Sequence, residues 1–129
     1  MSTDREGFPT FSGGVSLNAR DMARFGQLYC RYGLGVNNLQ ISSKEYIEAT
    51  RKRNSLTLDK RKNSPRYSNQ SFTNGTWIGH GGYGGQFLLV NPDTGISVSF
   101  FSVLLNKSAM DYDYLGEMVG MMESVASDY

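Results

Sequence analysis

Five glycines fall within seven residues at Gly79-His80-Gly81-Gly82-Tyr83-Gly84-Gly85, and no other stretch constrains the fold as strongly. Glycine loses more backbone freedom on folding than any other residue, so such a run is a poor helix interior. It suits a tight turn, or a strand that a ligand or another backbone approaches closely. The residues after it decide the element type. Gln86-Phe87-Leu88-Leu89-Val90 has the composition of a buried strand, and Ile96-Ser97-Val98-Ser99-Phe100 alternates with period two. Between them, Asn91-Pro92-Asp93-Thr94-Gly95 is a turn, with Pro presetting φ and Gly free to take positive φ. Thr76-Trp77-Ile78 is short and β-prone on the other side, and Phe101 to Leu105 continues the last strand less cleanly. Residues 76–105 therefore predict a three-stranded antiparallel meander.

Helical signals flank it. Asn18 is placed to cap a helix, with Asp21 three residues on as the back-bonding acid, and Met22, Phe25, Tyr29 and Tyr32 recur at helical spacing. Gly33-Leu34-Gly35 ends that helix, glycine supplying a left-handed turn. Ser42 followed by Glu45 predicts a second start, with Tyr46, Ile47 and Thr50 on one side. Near the C-terminus Leu115, Met118, Val119, Met122 and Val125 form one stripe, capped by Asp111 or Asp113. The division is a helical segment 1–53, a polar loop 54–75, the meander 76–105 and a helix 111–127. The fold class is α+β with an antiparallel sheet, in one partial domain spanning 1–129.

Composition narrows the function classes. With 13 Lys+Arg against 12 Asp+Glu the net charge is +1, which gives no argument for a nucleic-acid or membrane partner. Arg51, Lys52, Arg53, Lys60, Arg61, Lys62 and Arg66 do cluster, but Tyr67 and Phe72 are too few and too late for a base-stacking platform. That stretch reads as a solvated, mobile loop. Cys30 is the only cysteine, excluding an intrachain disulfide and a cysteine-based zinc cluster. Met1 to Glu6 is too polar for the apolar core of a signal peptide, and no run of about 18 apolar residues marks a membrane span.

His80 is the single histidine, so chemistry is sought at the glycine run. Gly79-His80-Gly81-Gly82-Tyr83-Gly84 fits the letters of GxGxxG, but a dinucleotide loop needs a helix N-terminus after the glycines, and here a strand follows. A lipase-type oxyanion loop needs a GxSxG elbow. The nearest sequences, Gly14-Val15-Ser16-Leu17-Asn18 and Gly95-Ile96-Ser97-Val98-Ser99, both lack the closing glycine.

The run Gly79 to Gln86, followed by strand, turn and strand, resembles the third-motif hairpin of the serine β-lactamase and penicillin-binding-protein superfamily. It is most similar to the branch of class C-like esterases, D-aminopeptidases and nylon-oligomer hydrolases, where His-x-Gly often replaces Lys-Thr-Gly. Upstream, Gly13-Gly14-Val15-Ser16-Leu17-Asn18-Ala19-Arg20-Asp21-Met22-Ala23-Arg24-Phe25 is similar to another segment of that branch. The resemblance covers nearly the whole chain but only the C-terminal part of the family's catalytic domain. It implies that His80, Gly81, Gly82 and Tyr83 form a substrate and oxyanion wall, with His80 at the first motif position, Gly82 at the third and the Tyr83 N–H as oxyanion donor. It implies no cofactor and no metal.

The departures are equally informative. No Ser-x-x-Lys occurs in the chain, Thr57-Leu58-Asp59-Lys60 being the nearest, so the nucleophile is absent and no catalytic residue is assigned. Tyr67-Ser68-Asn69 matches a Tyr-x-Asn motif in letters but lies too close to His80, and is read as coincidence. Two functions follow: the C-terminal part of a serine hydrolase, acting on a small acyl substrate only in full-length context, or a non-catalytic module binding a carboxylate or peptide. The resembled fold also pairs Ile96–Leu105 with a strand this chain lacks. The expectation is self-association through that edge, blunted only by Lys107 and lined by Phe100, Phe101 and Leu104, unless Phe8 to Phe11 folds back to cover it.

Overall fold

A computed structural model describes residues 3–9, 15–52, 66–102 and 111–129, apart from the Tyr112 side chain. Three helices, α1 (Ala19–Cys30), α2 (Lys44–Lys52) and α3 (Tyr112–Ser127), accompany a single antiparallel sheet. Its strands are β1 (Arg66–Ser68), β2 (Ser71–Thr73), β3 (Ile78–Gly82), β4 (Gln86–Asn91) and β5 (Ile96–Phe100), arranged in chain order. The α+β class holds, but the meander has five strands rather than three. Part of the expected polar loop is the β1–β2 hairpin, closed by Asn69 and Gln70 at φ 47 and 62. Positive φ at both turn residues is what a two-residue hairpin requires, and polar Asn-Gln without glycine hides that signal in the sequence. Among the described residues no helix is long and apolar enough to cross a membrane.

The sheet separates two cores. Phe72, Phe87 and Leu89 pack with Leu115 and Met122 of α3, while Leu88 and Val90 pack with Cys30 of α1. The uninterrupted run Phe87 to Val90 is thus explained by burial on both faces. Helix α3 begins as expected, with Asp111 accepting from Tyr114 N at 3.1 Å. Its stripe differs at one point: Val125 is exposed, and Ala126 takes the buried position.

Helix α1 starts where its sequence says. Asn18 Oδ1 accepts from Asp21 N at 2.8 Å, and Asn18 Nδ2 donates to Asp21 Oδ2 at 2.8 Å. It ends in a Schellman arrangement, with Gly33 N donating to Leu28 O and Tyr32 N to Tyr29 O. The left-handed residue inside that cap is Tyr32 at φ 51, with Gly33 following at φ 86. Contacts made by the tyrosine accompany the unfavourable backbone: Lys44 Nζ lies 5.1 Å from its ring centroid, and its hydroxyl is 3.5 Å from Asp93 Oδ1. The second helix is capped by Ser43, not Ser42, since Ser43 Oγ accepts from Tyr46 N at 3.1 Å. Ile47 and Thr50 are buried as expected, while Tyr46 is exposed.

Arg51, grouped with the basic stretch by sequence, is instead a structural pin. Its guanidinium makes a bidentate pair with Asp93 at 2.8 and 2.6 Å, and Nε donates to Gly75 O at 3.2 Å. The Arg51 side chain is only 12% exposed. This ties α2 to the β4–β5 turn. Residues 53–65, with Lys60, Arg61, Lys62 and the Thr57–Lys60 sequence, lie outside the described residues, as do Phe11, Leu104 and Lys107.

Two tests follow from this packing. A Cβ at Gly26 would overlap Ser97 Oγ and stand 2.9 Å from Leu88 Cδ1, whereas Gly116 and Gly120 face open space. Urea unfolding should show Gly26→Ala destabilised by about 1–3 kcal/mol from overpacking. Gly116→Ala should gain about 1 kcal/mol from helix propensity alone. Separately, the hydrogen bonds from Arg51 hold the Asp93 carboxyl below the usual carboxylate range. A depressed folded pKa contributes stability above the unfolded value of about 3.9 that is lost as pH falls through the folded one. Asp93→Asn should flatten that acid-side loss in melting temperature measured from pH 5 to pH 2.

Candidate functional site

The glycine run forms the tip of the β3–β4 hairpin, not the start of a helix, so the dinucleotide reading fails. Gly82 pairs with Gln86, Gly81 with Phe87 and His80 with Leu88. Gly85 N donates to Gly82 O at 3.2 Å, closing a turn over Tyr83 and Gly84. Gly84 and Gly85 both have positive φ, 82 and 85, which explains glycine at those two positions. Tyr83 stands at the apex, 72% exposed.

The hairpin is held from beneath by residues that sequence reasoning did not select. Ser102 Oγ lies 3.0 Å from Gly84 O and 2.9 Å from Gly85 O, and 3.4 Å from the Tyr114 hydroxyl. Gln86 Nε2 donates to Ser102 O at 3.2 Å. The Tyr114 ring meets Phe87 edge-on at 5.8 Å between centroids. A serine two residues past a strand carries no motif, so nothing in the sequence marks Ser102.

Among the described residues the opposite side of β3 is only partly paired. Strand β2 pairs with β3 only through Phe72 with Gly79 and Thr73 with Ile78. Beyond Gly79, His80 to Gly82 have no strand partner on that side among the described residues. His80 is exposed there, its ring 6.4 Å from Phe72. The structure therefore brings His80, Gly81, Gly82 and Tyr83 onto one accessible strand end, which the sequence had singled out.

Glycine at position 82 has no strong internal cause. Its φ lies outside the left-handed region, and an added Cβ would stand 3.2 Å from Gln86 Oε1, so that the side-chain amide, which also donates to Ser102 O, would have to give slightly. Gly79 differs, because a Cβ there would press on Leu88 O at 3.0 Å and Leu89 Cδ1 at 3.2 Å. Packing requires glycine at 79 but not at 82.

The hydroxyls of β5 and the thiol beside it are engaged, whereas Ser68 Oγ in β1 is buried without a hydrogen-bond partner among the described residues. Ser97 Oγ donates to Ala23 O at 3.1 Å and Ser99 Oγ to Ala19 O at 2.8 Å. Burial pushes the Cys30 thiol up to about 11, and its Sγ lies 3.4 Å from Ile96 O. A protonated, buried thiol is a poor nucleophile. The Asn69 amide of Tyr67-Ser68-Asn69 donates to Thr50 Oγ1 of α2 at 3.1 Å.

The geometry on its own defines an antiparallel sheet covered by helices; the family match adds a serine-hydrolase-like fold. The beta-lactamase family model matches residues 2–115, and the chain belongs to that family. No curated protein and no solved structure matches it.

The hairpin support yields a test. A Cβ on Gly85 would collide with Ser102 Oγ and stand 2.5 Å from Tyr114 Oη, on a backbone already at positive φ. Gly85→Ala should lower stability by about 1–3 kcal/mol, while Tyr83→Ala at the exposed apex should stay within about 0.5 kcal/mol of wild type. Chemical denaturation measures both, and equal losses would contradict the buttress.

Proposed function

We propose that this chain supplies the oxyanion side of a serine hydrolase active site and acts in ester, amide or β-lactam acyl transfer only beside a Ser-x-x-Lys element it does not carry. The observation supporting this is Gly82: a strand glycine for which the described residues give no strong packing reason, beyond the point where β2 stops pairing with β3. Close approach of a substrate carbonyl to an edge backbone is what such a glycine permits. In this reading the Tyr83 N–H donates to the developing oxyanion, and Gly81 and Gly82 keep the strand free of side chains where the acyl group lies. His80 replaces the usual lysine of the third motif and hydrogen-bonds substrate or neighbouring polar groups.

A second reading draws on the lack of any Ser-x-x-Lys. The same open strand end could take an extended carboxylate or peptide by strand addition, without chemistry. One pair of measurements separates the readings. The chain alone should show no stoichiometric labelling by a fluorophosphonate, and specific labelling of a single serine would overturn the proposal. Gly82→Val should leave the melting temperature of the chain nearly unchanged yet reduce turnover at least about 100-fold in a longer polypeptide carrying the nucleophile, the scale of losing one oxyanion donor. Unchanged turnover in that context would leave the binding reading.

A further inference from the structure

Asn74-Gly75 is the single Asn-Gly dipeptide in the chain, and it lies in the β2–β3 connection with both residues exposed. Such a pair is chemically labile, because glycine has no Cβ to keep its nitrogen away from the preceding carboxamide. The connection that carries it is also where several elements are tied together. Asn74 Nδ2 donates to Glu123 Oε1 of α3 at 3.1 Å, and Arg51 Nε of α2 donates to Gly75 O at 3.2 Å. Through Arg51 the same junction reaches Asp93 in the β4–β5 turn.

We infer that Asn74 is a latent modification site, shielded from deamidation by the fold, whose reaction releases the β2–β3 connection from α3. The chemistry needs only water. The Gly75 nitrogen gives its proton to solvent base and attacks Asn74 Cγ. The N–Cγ bond forms, the Cγ–Nδ2 bond breaks, and Nδ2 takes a proton from solvent and leaves as ammonia. Water then opens the succinimide ring at one carbonyl or the other, leaving aspartate or isoaspartate. Nothing is oxidised or reduced.

Both reacting groups are held in the fold. Gly75 N donates to Oγ1 of the buried Thr73 at 3.0 Å, so its proton is engaged. Asn74 Oδ1 accepts from Thr76 N at 3.1 Å and from Trp77 N at 2.9 Å. With Nδ2 on Glu123, both polar atoms of the carboxamide are engaged. Closing the ring requires the carboxamide to swing back onto Gly75 N, which breaks these bonds together. Deamidation therefore proceeds from the opened connection, at a rate set by how often it opens.

The product reverses the tether. Aspartate at this position places a carboxylate where an N–H donor met Glu123, so attraction to α3 becomes repulsion between like charges. Isoaspartate also adds a methylene to the backbone, which removes the geometry by which the side chain accepts from Thr76 N and Trp77 N.

Peptide mapping of the amide-to-acid mass gain at Asn74, with isoaspartate methyltransferase labelling, measures the rate at pH 8 and 37 °C in buffer and in 6 M guanidinium chloride. The folded chain should react at least about tenfold more slowly than the unfolded one, the least that a shielding fold implies. Glu123→Ala should raise the folded rate severalfold, whereas Glu123→Gln keeps an acceptor for Nδ2 and should leave it near wild type. Asn74→Asp should lower the melting temperature at pH 8, and adding Glu123→Gln should recover most of that loss by removing the like charge. Equal folded and unfolded rates overturn the inference. So does a folded rate that Glu123→Ala leaves unchanged, or a loss on Asn74→Asp that Glu123→Gln does not relieve. Should Glu123→Ala fail to fold, the wild-type rates and the Asn74→Asp comparison decide.

Discussion

The docking of α1 onto β5 and β4 is the contact on which the described fold depends. It works because a helix backbone is allowed to touch a sheet. Gly26 removes the side chain at the closest approach, and Ser97 and Ser99 donate directly to the carbonyl oxygens of Ala23 and Ala19. Those carbonyls already accept within the helix, so each serine uses a second lone pair and leaves no buried hydroxyl unsatisfied. The alternating Ser-x-Ser of β5 and the Ala-Arg-Asp-Met-Ala-Arg-Phe-Gly of α1 are therefore two halves of one interface. Helix α1 in turn covers Leu88 and Val90, leaving the other face of β4 to α3.

From that interface the position of the hairpin follows. Strand β4 is buried on both faces and fixes β3 through a continuous register from Ile78–Val90 to Gly82–Gln86. The tip is then clamped by Ser102 and Tyr114, which come from the far end of β5 and the first turn of α3. A glycine-rich strand is entropically costly to order. Beyond Gly79 the order comes from the β4 side, and none of the described residues pairs with His80 to Gly82 on the side toward β2. Rigid support behind the strand is what the proposed acyl-binding role would need.

The legible parts of the sequence were those with a local cause. Asn18, Asp111, the Asn91–Gly95 turn and the period-two strand Ile96–Phe100 each act within a few residues, and each is found where expected. The misses have non-local causes. Tyr32 sits in a left-handed conformation while its ring and hydroxyl meet Lys44 and Asp93. Arg51 looked like part of a solvated charge run because its partner lies 42 residues away. The β1–β2 hairpin was hidden by an Asn-Gln turn without glycine, between strands of three residues that leave too short a pattern to read. At the site the glycines were visible and their division of labour was not: only the three-dimensional surroundings separate Gly79, Gly84 and Gly85, which the fold needs, from Gly82, which it does not.

That division bears on the role proposed for the hairpin. If the glycines served only turn geometry, positions 84 and 85 would suffice, and 82 could carry any side chain able to move Gln86 aside. Glycine in a strand interior is destabilising by roughly 0.5–1 kcal/mol relative to alanine, a cost with no offsetting contact inside the described structure. Within the described residues stability gives no strong reason for glycine at 82, whereas the proposed close approach of a substrate backbone or carbonyl does.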